Sequence, residues 1–292
     1  MKNTLDAAAV AAALPMSTAI AAVRDALLAG LDPAADPARI GVSLDHGQLL
    51  MMPAQWGEFA GVKVASVSPA NPALGLPRIQ GSYLLLNGRT LAPLAVLDGI
   101  ALTSIRTAAV SAVAADVLAE PDAATLVVFG SGPQAHSHVA ALREIRPLRE
   151  VIVIGRDTAR AAAFAADVGG RVGSVADIPA ADIVACCTTA RTPLFDGTRL
   201  AAHATVIAVG SHEPEAAEVD AATVTGSTVV VEARATALRE AGDIIQAGEH
   251  PLVELATLVR EPNFDRSRPR LFKSVGMAWE DLVLAARAYQ AC

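Results

Sequence analysis

One segment in the middle of the chain has residue types and spacing suited to binding phosphate groups. Residues 130–135, GSGPQA, fit G-x-G-x-x-A directly after the apolar run "TLVVF" and before a helix-like segment. Gly130 permits a tight turn, Gly132 lets the backbone approach a pyrophosphate, and Ala135 lets the helix lie close to the strand. N–H groups at the helix N terminus would face the phosphates. We predict a dinucleotide-binding turn that also includes Pro133 and Gln134; a plain strand-to-helix turn is the alternative.

The end of the next apolar run bears on which dinucleotide is bound. In "VIVIGRDT", Arg156 stands where a cationic side chain could bind a ribose 2′-phosphate, so NADP(H) is the preferred cofactor. Asp157 leaves NAD(H) possible, because it could bind the ribose hydroxyl if the strand runs one residue longer. Arg156 could also be a solvated residue at the start of a helix.

Two cations stand alone within long apolar windows, where a charge is unusual. Lys63 lies in "GVKVASV" and Arg106 near the start of "SIRTAAVSAVAA". Arg39, before "IGVSL", is a third candidate. Guanidinium and ammonium groups could hold a substrate carboxylate or supply a proton. A surface charge or a salt bridge is the alternative for each, and for Arg39 both readings stand equally.

Alternating strand and helix signals surround the glycine segment. β-branched, apolar runs occur at 125–130, 150–155, 182–189, 204–210 and 227–233, with helix-like segments such as 157–168 between them. Nearly continuous apolar strands that alternate with helices indicate a parallel sheet covered on both faces. The sequence therefore predicts an α/β protein with a doubly wound Rossmann domain, placed at 119–271.

The earlier part of the chain has a different pattern. Short strands with turn signals at "DHG" and "NGR" predict an antiparallel sheet, and "SIRTAAVSAVAADVLAEP" predicts a long helix that bridges the domains. We assign 1–118 and 272–292 to a separate α+β domain. At the N terminus, "LDAAAVAAALPMSTAIAAVRDALLAG" predicts two amphipathic helices with a proline between them, as part of the fold and not as a signal peptide.

Composition narrows the possible partners and location. Apolar residues make up 53% and charged residues 18% of the 292, as in a folded globular protein, and no uninterrupted apolar run approaches the roughly 18 residues of a membrane span. A net charge of −7 gives no basic surface for nucleic acid. The three cysteines form no disulfide framework, which favours a reducing, cytoplasmic location. His136 and His138, two apart on a predicted helix, point to different faces, so no metal site is expected.

Several blocks together resemble the ornithine cyclodeaminase/mu-crystallin family. They are "RIGVSLDHGQLLMMPA", "GVKVASVSPAN", "LLLNGRTLAPLAVLDGIALTSIRTAAVSAVAADVLA", "VVFGSGPQAHSHVAAL" and "LFKSVGMAWEDLVLAARA". They run in family order from about Arg39 to the C terminus. The "LDG…T..RTAA.SA.A" and "KS.GMA.ED" blocks are the most specific. The family includes cyclodeaminases of ornithine and lysine, alanine dehydrogenase, reductases of cyclic ketimines and a thyroid-hormone-binding crystallin.

The resemblance implies roles for individual residues. Arg39, Lys63 and Arg106 match the positions that hold the substrate carboxylate and line the reacting centre. Asp220, at the end of "AVGSHEPEAAEVD", matches the family's proposed acid/base, and we expect it to form a carboxylate–ammonium pair with Lys63. The expected cofactor contacts beyond the glycine turn are Thr107, Thr188, Thr189, Val209 and Gly210. The N-terminal domain and the returning C-terminal helix resemble the family's dimerisation and substrate domain, so a homodimer is implied.

Two features depart from the family pattern. His212 stands where many bacterial relatives carry Asp, and the loop lacks the basic residue that often precedes "ELD". Arg156 also differs from the acidic ribose-binding residue of true ornithine cyclodeaminases. The expected activity is therefore NAD(P)H-dependent reduction of a cyclic imino acid, Δ1-pyrroline-2-carboxylate or Δ1-piperideine-2-carboxylate, to the cyclic amino acid. The alternatives are an ammonia-releasing cyclodeaminase, an alanine or opine-like dehydrogenase, and a non-catalytic ligand-binding protein.

Overall fold

A computed structural model describes residues 3–292. The chain forms two compact units: a mixed-sheet unit, made of residues up to Thr107 together with Met277–Cys292, and a parallel-sheet unit, Ala108–Gly276. The predicted boundaries at 118 and 272 lie near the ends of elements. The division between the units instead falls between Thr107 and Ala108, inside the helix Gly99–Leu118. A sequence pattern shows where a helix ends, but it does not show where along the helix the packing partners change.

The mixed-sheet unit is built on six strands within the described residues. Their order across the sheet is β1-β6-β5-β4-β3-β2; β1 is parallel to β6 and the other neighbours are antiparallel, as the turn signals predict for the hairpins. Short turns after Leu44 and Asn87 connect antiparallel neighbours. The strands are β1 Asn3–Leu5, β2 Ile40–Leu44, β3 Gly47–Trp56, β4 Phe59–Val67, β5 Ile79–Asn87 and β6 Pro93–Asp98.

Helices α1 (Ala7–Ala13), α2 (Met16–Leu28) and α10 (Ala278–Gln290) belong to the same unit, and α10 packs on β3, β4 and β5. Pro15 separates the first two helices, and the carboxylate of Asp6 caps α1 by accepting from the Ala9 N–H. The prediction of two N-terminal helices around a proline is confirmed.

Helix α3 (Gly99–Leu118) begins where the Asp98 carboxylate accepts from the N–H groups of Ile100 and Ala101. By length and composition α3 could cross a membrane, and the bent pair α1–α2 passes the same test if taken as one segment. In α3, 61% of the most apolar window is buried within the structure, which is typical of a core helix in a soluble protein.

The parallel-sheet unit contains eight strands within the described residues, in the order β13-β12-β14-β11-β10-β7-β8-β9, and every neighbouring pair is parallel. From β7 the chain goes first to β8 on one side and later to β10 on the other, so β7 marks the point where strand order reverses. The strands are β7 Thr125–Phe129, β8 Glu150–Ile154, β9 Arg171–Val172, β10 Ile183–Cys186, β11 Thr205–Ala208, β12 Thr228–Val231, β13 Val253–Glu254 and β14 Arg270–Lys273.

Six helices of this unit lie between the strands in sequence: α4 Pro133–Ile145, α5 Thr158–Asp167, α6 Ala221–Gly226, α7 Arg234–Glu240, α8 Gly242–Ala247 and α9 Leu255–Arg260. The central strands β10 and β11 are buried along their whole length, as expected for parallel strands without a solvent face. The predicted doubly wound fold is confirmed. Ligands of such sheets bind beyond the carboxyl ends of the strands, at the reversal point.

Candidate functional site

The glycine turn lies at the reversal point, directly after β7. Gly130 has φ +105°, and a Cβ there would collide with the carbonyl oxygen of Cys187 after the neighbouring strand β10. Glycine is therefore required at this position by both conformation and space. Ala135 is fully buried, which allows α4 to approach the sheet.

The start of α4 fits the pyrophosphate of a dinucleotide. Gly132 is the N-cap, Pro133 is the first helical residue, and no side chain of the described chain caps this end. A Cβ at Gly132 would meet no atom within 4 Å, so the space that a phosphate needs is open. The partial positive charge of the helix end favours an anion there.

Strand β8 ends at Ile154, and Arg156 is exposed just beyond it. The Asp157 carboxylate caps α5 and accepts from the Arg160 N–H at 3.0 Å. The strand does not run longer, which was the condition for a ribose-binding role of Asp157. Arg156, exposed between β8 and α5, stays a predicted cofactor contact.

The two histidines of α4 have separate environments, as their spacing predicts. His138 is fully buried, with Nδ1 2.7 Å from the Gln134 carbonyl and Nε2 2.9 Å from the Ser111 hydroxyl. Burial lowers the pKa of His138 to about 4, so the ring is neutral at neutral pH. His136 is exposed and lies against Phe164 of α5.

A buried carboxylate joins two strand ends beside the glycine turn. Glu218 Oε1 accepts from the N–H of Thr188 at 2.8 Å and from its hydroxyl at 2.7 Å, and Oε2 accepts from the Gly210 N–H at 2.6 Å. Thr188 follows β10 and Gly210 follows β11. Burial raises the pKa of Glu218 to about 7. The sequence interpretation missed Glu218; its signal was an acid two residues before the one selected, among the small apolar residues of "PEAAEVD".

The position of Asp220 corrects the expected pairing. Its Oδ1 accepts from the Thr223 N–H at 2.8 Å and from the Thr223 hydroxyl at 2.7 Å, and its Oδ2 accepts from the Gly197 N–H at 3.1 Å. Asp220 is the N-cap of α6, a position that Asp favours because its short carboxylate reaches the free N–H groups. The carboxylate that pairs with Lys63 is that of Asp281, 2.6 Å away, while the catalytic role expected of Asp220 stays a prediction.

In the mixed-sheet unit, Lys63 and Arg106 meet two carboxylates from the first turn of α10. Lys63 Nζ lies 2.6 Å from Asp281 Oδ2 and 3.3 Å from the Thr103 hydroxyl. Arg106 Nη1 lies 2.5 Å from Glu280 Oε2, and its Nε lies 3.6 Å from Asp281 Oδ1. Glu280 Oε1 also accepts from the Met277 N–H and so closes a capping box at the start of α10.

This cluster of Lys63, Arg106, Glu280 and Asp281 is almost fully withdrawn from solvent: the exposed fractions are 4% for Lys63, 6% for Arg106 and 0% for both acids. Its four formal charges balance, which makes the burial tolerable. Burial, opposed by Asp281, lowers the pKa of Lys63 to about 8. Tyr83, directly opposite Lys63 on β5, is buried with its hydroxyl unbonded to any described atom.

The remaining predicted residues have the following positions in the structure. Arg39 is half-buried directly before β2. Thr107 donates its hydroxyl to the Thr103 carbonyl within α3. Thr189 follows Thr188, and Val209 follows β11 with its N–H bonded to Cys186. Glu280 and Asp281 are the functional residues missed in this unit, although the "KS.GMA.ED" block contains them.

Fold and site define an α/β protein with a dinucleotide-binding Rossmann unit and a second unit that buries two cations. The sequence matches the ornithine cyclodeaminase/mu-crystallin family over residues 2–292, and the chain belongs to that family.

Three relatives give the comparison detail. A Δ1-pyrroline-2-carboxylate reductase of Burkholderia ambifaria is 36% identical over 266 residues, covering 87% of this chain and 84% of the relative. The Δ1-pyrroline-2-carboxylate/Δ1-piperideine-2-carboxylate reductase of Azospirillum brasilense has the same identity and coverage. The Thermococcus litoralis Δ1-pyrroline-2-carboxylate reductase, solved with NADH and L-proline, is 30% identical with a TM-score of 0.90, covering 99% of this chain and 97% of that one.

Proposed function

We propose that the protein is an NAD(P)H-dependent oxidoreductase that reduces a cyclic imino acid, Δ1-pyrroline-2-carboxylate or Δ1-piperideine-2-carboxylate, to the cyclic amino acid. Relatives that are 36% identical act on these two compounds by name. The observation that carries the proposal is the buried pair of cations, Lys63 and Arg106, in a chain that also holds a dinucleotide turn.

The substrate carboxylate is the group that the cations select. Glu280 and Asp281 fix the Arg106 guanidinium, whose planar fork binds carboxylates by charge-assisted hydrogen bonds. Arg39, which matches a family position that holds the substrate carboxylate, is the third cation proposed for this group. Fixing the substrate in this way provides an orientation effect of up to roughly 7–11 kcal/mol.

The ring nitrogen of the substrate gains one proton in each reduction, and Lys63 donates it. With a pKa of about 8, the ammonium is protonated at neutral pH yet gives up its proton more readily than an ordinary lysine. Asp281, 2.6 Å away, holds the ammonium in place and stabilises its charged form. Solvent then restores the proton.

The residues around the glycine turn fit a nicotinamide dinucleotide, which supplies the hydride when bound. Gly130, Gly132 and the start of α4 would hold the pyrophosphate, and Thr188 and Gly210 flank the strand ends. Arg156 favours NADP(H) over NAD(H). Replacing Arg156 with Ala should raise KM for NADPH and leave KM for NADH unchanged. Arg149→Ala, at the other end of β8, is the matched control and should change neither; equal effects on both cofactors would refute this role for Arg156.

The activity is tested by incubating purified protein with NADPH or NADH and a panel of cyclic imino acids, and following the reduced nicotinamide. Oxidation with formation of proline or pipecolate is expected. Release of ammonia from ornithine or lysine without net use of cofactor would instead identify a cyclodeaminase, and turnover of pyruvate with an amine would identify an alanine or opine-like dehydrogenase. A protein that binds these compounds without turnover would be a ligand-binding member.

A homodimer is part of the proposal, and the sheet face opposite α10 supports it. On the strands, residues that alternate with Lys63 and Tyr83 face this side. Several of them are large, apolar and exposed: Ile40 by 51%, Val42 by 41%, Leu44 by 54% and Val64 by 38%. An apolar patch of this kind marks an interface, and a second copy of the chain offers an equally apolar face.

The dimer is tested by sedimentation of the purified protein. Val64→Asp should shift the protein from dimer to monomer, because it places a charge in the patch. Leu238→Asp is the matched control, since Leu238 is a leucine of α7, in the parallel-sheet unit, that is exposed by 53%. A monomeric wild-type protein would refute the proposal.

A cytoplasmic location is also part of the proposed function. The free thiols of Cys186, Cys187 and Cys292 suit a reducing compartment.

A further inference from the structure

The Glu218 side chain connects the segments that follow two neighbouring strands, β10 and β11. Beyond Cys186 and Ala208, the last paired residues of β10 and β11, the Val209 N–H still donates to the Cys186 carbonyl at 3.1 Å. There the Glu218 carboxylate accepts two bonds from Thr188 and one from Gly210, all between 2.6 and 2.8 Å. One side chain thus continues the connection between the strand ends.

The approach is so close that it depends on glycine. A Cβ at position 210 would collide with the carbonyl oxygen of Thr188 and with the Glu218 carboxylate. Gly210 therefore leaves room for the carboxylate to lie directly against both strand ends.

The backbone of Glu218 is fixed by a buried ion pair. Its backbone N–H donates to Asp243 Oδ1 at 2.6 Å, and Asp243 Oδ2 forms a salt bridge of 2.8 Å with Lys273, both fully buried. Lys273 also donates to the Ser211 carbonyl at 2.8 Å. A buried chain of charges from β14 through α8 thus fixes the backbone that carries Glu218.

We propose that Glu218 is a positioning residue of the cofactor site: its ionised carboxylate ties Thr188 to Gly210, and tight binding of the nicotinamide cofactor requires this tie. The inference rests on the proposed function, since it takes the cofactor to bind beyond the ends of these strands. The Thr188 N–H, the Thr188 hydroxyl and the Gly210 N–H all donate to the two carboxylate oxygens of Glu218. A proton on either oxygen would compete with these donors.

The charged and titratable groups around Glu218 come from three elements. Lys273 of β14 lowers the pKa of Glu218, and burial raises it more. The pKa values of the Cys186 thiol, at the end of β10, and of the Cys187 thiol that follows are raised by desolvation. Asp243 of α8 adds a negative charge that Lys273 neutralises. With the pKa of Glu218 at about 7, the tie is complete above neutral pH and is lost as the pH falls.

The test is the dissociation constant of NADH, measured by calorimetry on the full chain over the pH range around 7. NADH is the probe because it lacks the 2′-phosphate, which also titrates. The wild-type Kd should rise as the pH falls through the pKa of Glu218. Glu218→Gln should bind NADH about tenfold more weakly above neutral pH, the size of one charge-assisted hydrogen bond, and its Kd should not vary with pH.

Glu232→Gln is the matched control. Glu232 follows β12 and is a buried carboxylate that accepts from the Ser274 hydroxyl and the N–H groups of Val275 and Gly276. It should keep the wild-type Kd and pH dependence. A wild-type Kd that is constant across this range would overturn the inference without any variant, as would a Glu232→Gln effect equal to that of Glu218→Gln. If the wild type binds neither NADH nor NADPH, the proposed function and the inference about Glu218 both fail.

Discussion

Asp281→Asn tests the buried cluster through its effect on Lys63. The substitution keeps the shape of the side chain but removes the carboxylate that lies 2.6 Å from the Lys63 ammonium. Asp281 opposes the effect of burial on Lys63, so without it the pKa of Lys63 should fall below about 8.

The magnitude follows from the pKa values. Holding Lys63 protonated with a pKa of about 8, against its ordinary 10.5, costs the wild-type fold ~3.4 kcal/mol at neutral pH. A fully neutral Lys63 would cost ~4.8 kcal/mol at about pH 7 and ~6 kcal/mol at about pH 6, because folding must release a proton. The Lys63 contribution to destabilisation is therefore at most ~1.4 kcal/mol at about pH 7 and ~2.7 kcal/mol at about pH 6.

The pH dependence distinguishes this effect from a general loss of packing. In the wild type, Lys63 is less protonated in the folded state than in the unfolded chain only between about pH 8 and pH 10.5. In the variant the pKa of folded Lys63 is lower, so this pH range begins below about 8. The stability of Asp281→Asn relative to the wild type should therefore rise with pH below about 8, where the Lys63 contribution in the wild type is flat. The lost contact with Arg106 adds a constant offset, because arginine stays charged.

Urea unfolding at several pH values between about 6 and 8 provides the assay, with the wild type measured in parallel. Trp279, buried two residues before Asp281, makes fluorescence a reporter of this unit. Glu150→Gln is the control; it removes a carboxylate 2.7 Å from Arg171 on an exposed surface and should not change the pH dependence in this range. An Asp281→Asn destabilisation of equal size at both ends of the range would refute the reasoning.

Three further variants test individual parts of the structure. Gly130→Ala should weaken binding of NADH, measured by calorimetry, and cost the fold at least ~1–3 kcal/mol, because φ is positive and the Cβ would collide with Cys187. Tyr83→Phe should raise the free energy of unfolding by up to about 1 kcal/mol, since its buried hydroxyl bonds to no described atom; a loss of stability would contradict this. Asp220→Ala should lower the thermal unfolding midpoint through a loss of ~0.5–2 kcal/mol, because it removes the cap that binds Thr223.

Local patterns predicted much of the fold because they depend on neighbours in sequence. The two helices around Pro15, the turn signals of the hairpins and the glycine segment before α4 all depend on residues within a few positions. The reversal of strand order at β7 also follows, since alternating strands and helices admit few arrangements.

The partners of the charged residues could not be predicted in the same way. Lys63 and Asp281 are 218 positions apart, and only the fold brings them together. Glu218 and Asp220 are both acids in one short loop, so the sequence does not show that Glu218 is buried while Asp220 caps α6; that difference exists only in the fold. The single lysine and arginine in their apolar windows were nevertheless correct indicators of buried charge.

The most direct test of the proposed activity follows the hydride itself. The wild-type protein is given Δ1-pyrroline-2-carboxylate and NADPH or NADH that carries deuterium at the transferable position of the nicotinamide, and the product is analysed by mass spectrometry. Proline that carries the deuterium on its α-carbon is the predicted result. Unlabelled proline would contradict the account, as would no proline from this compound together with no pipecolate from Δ1-piperideine-2-carboxylate, with either cofactor.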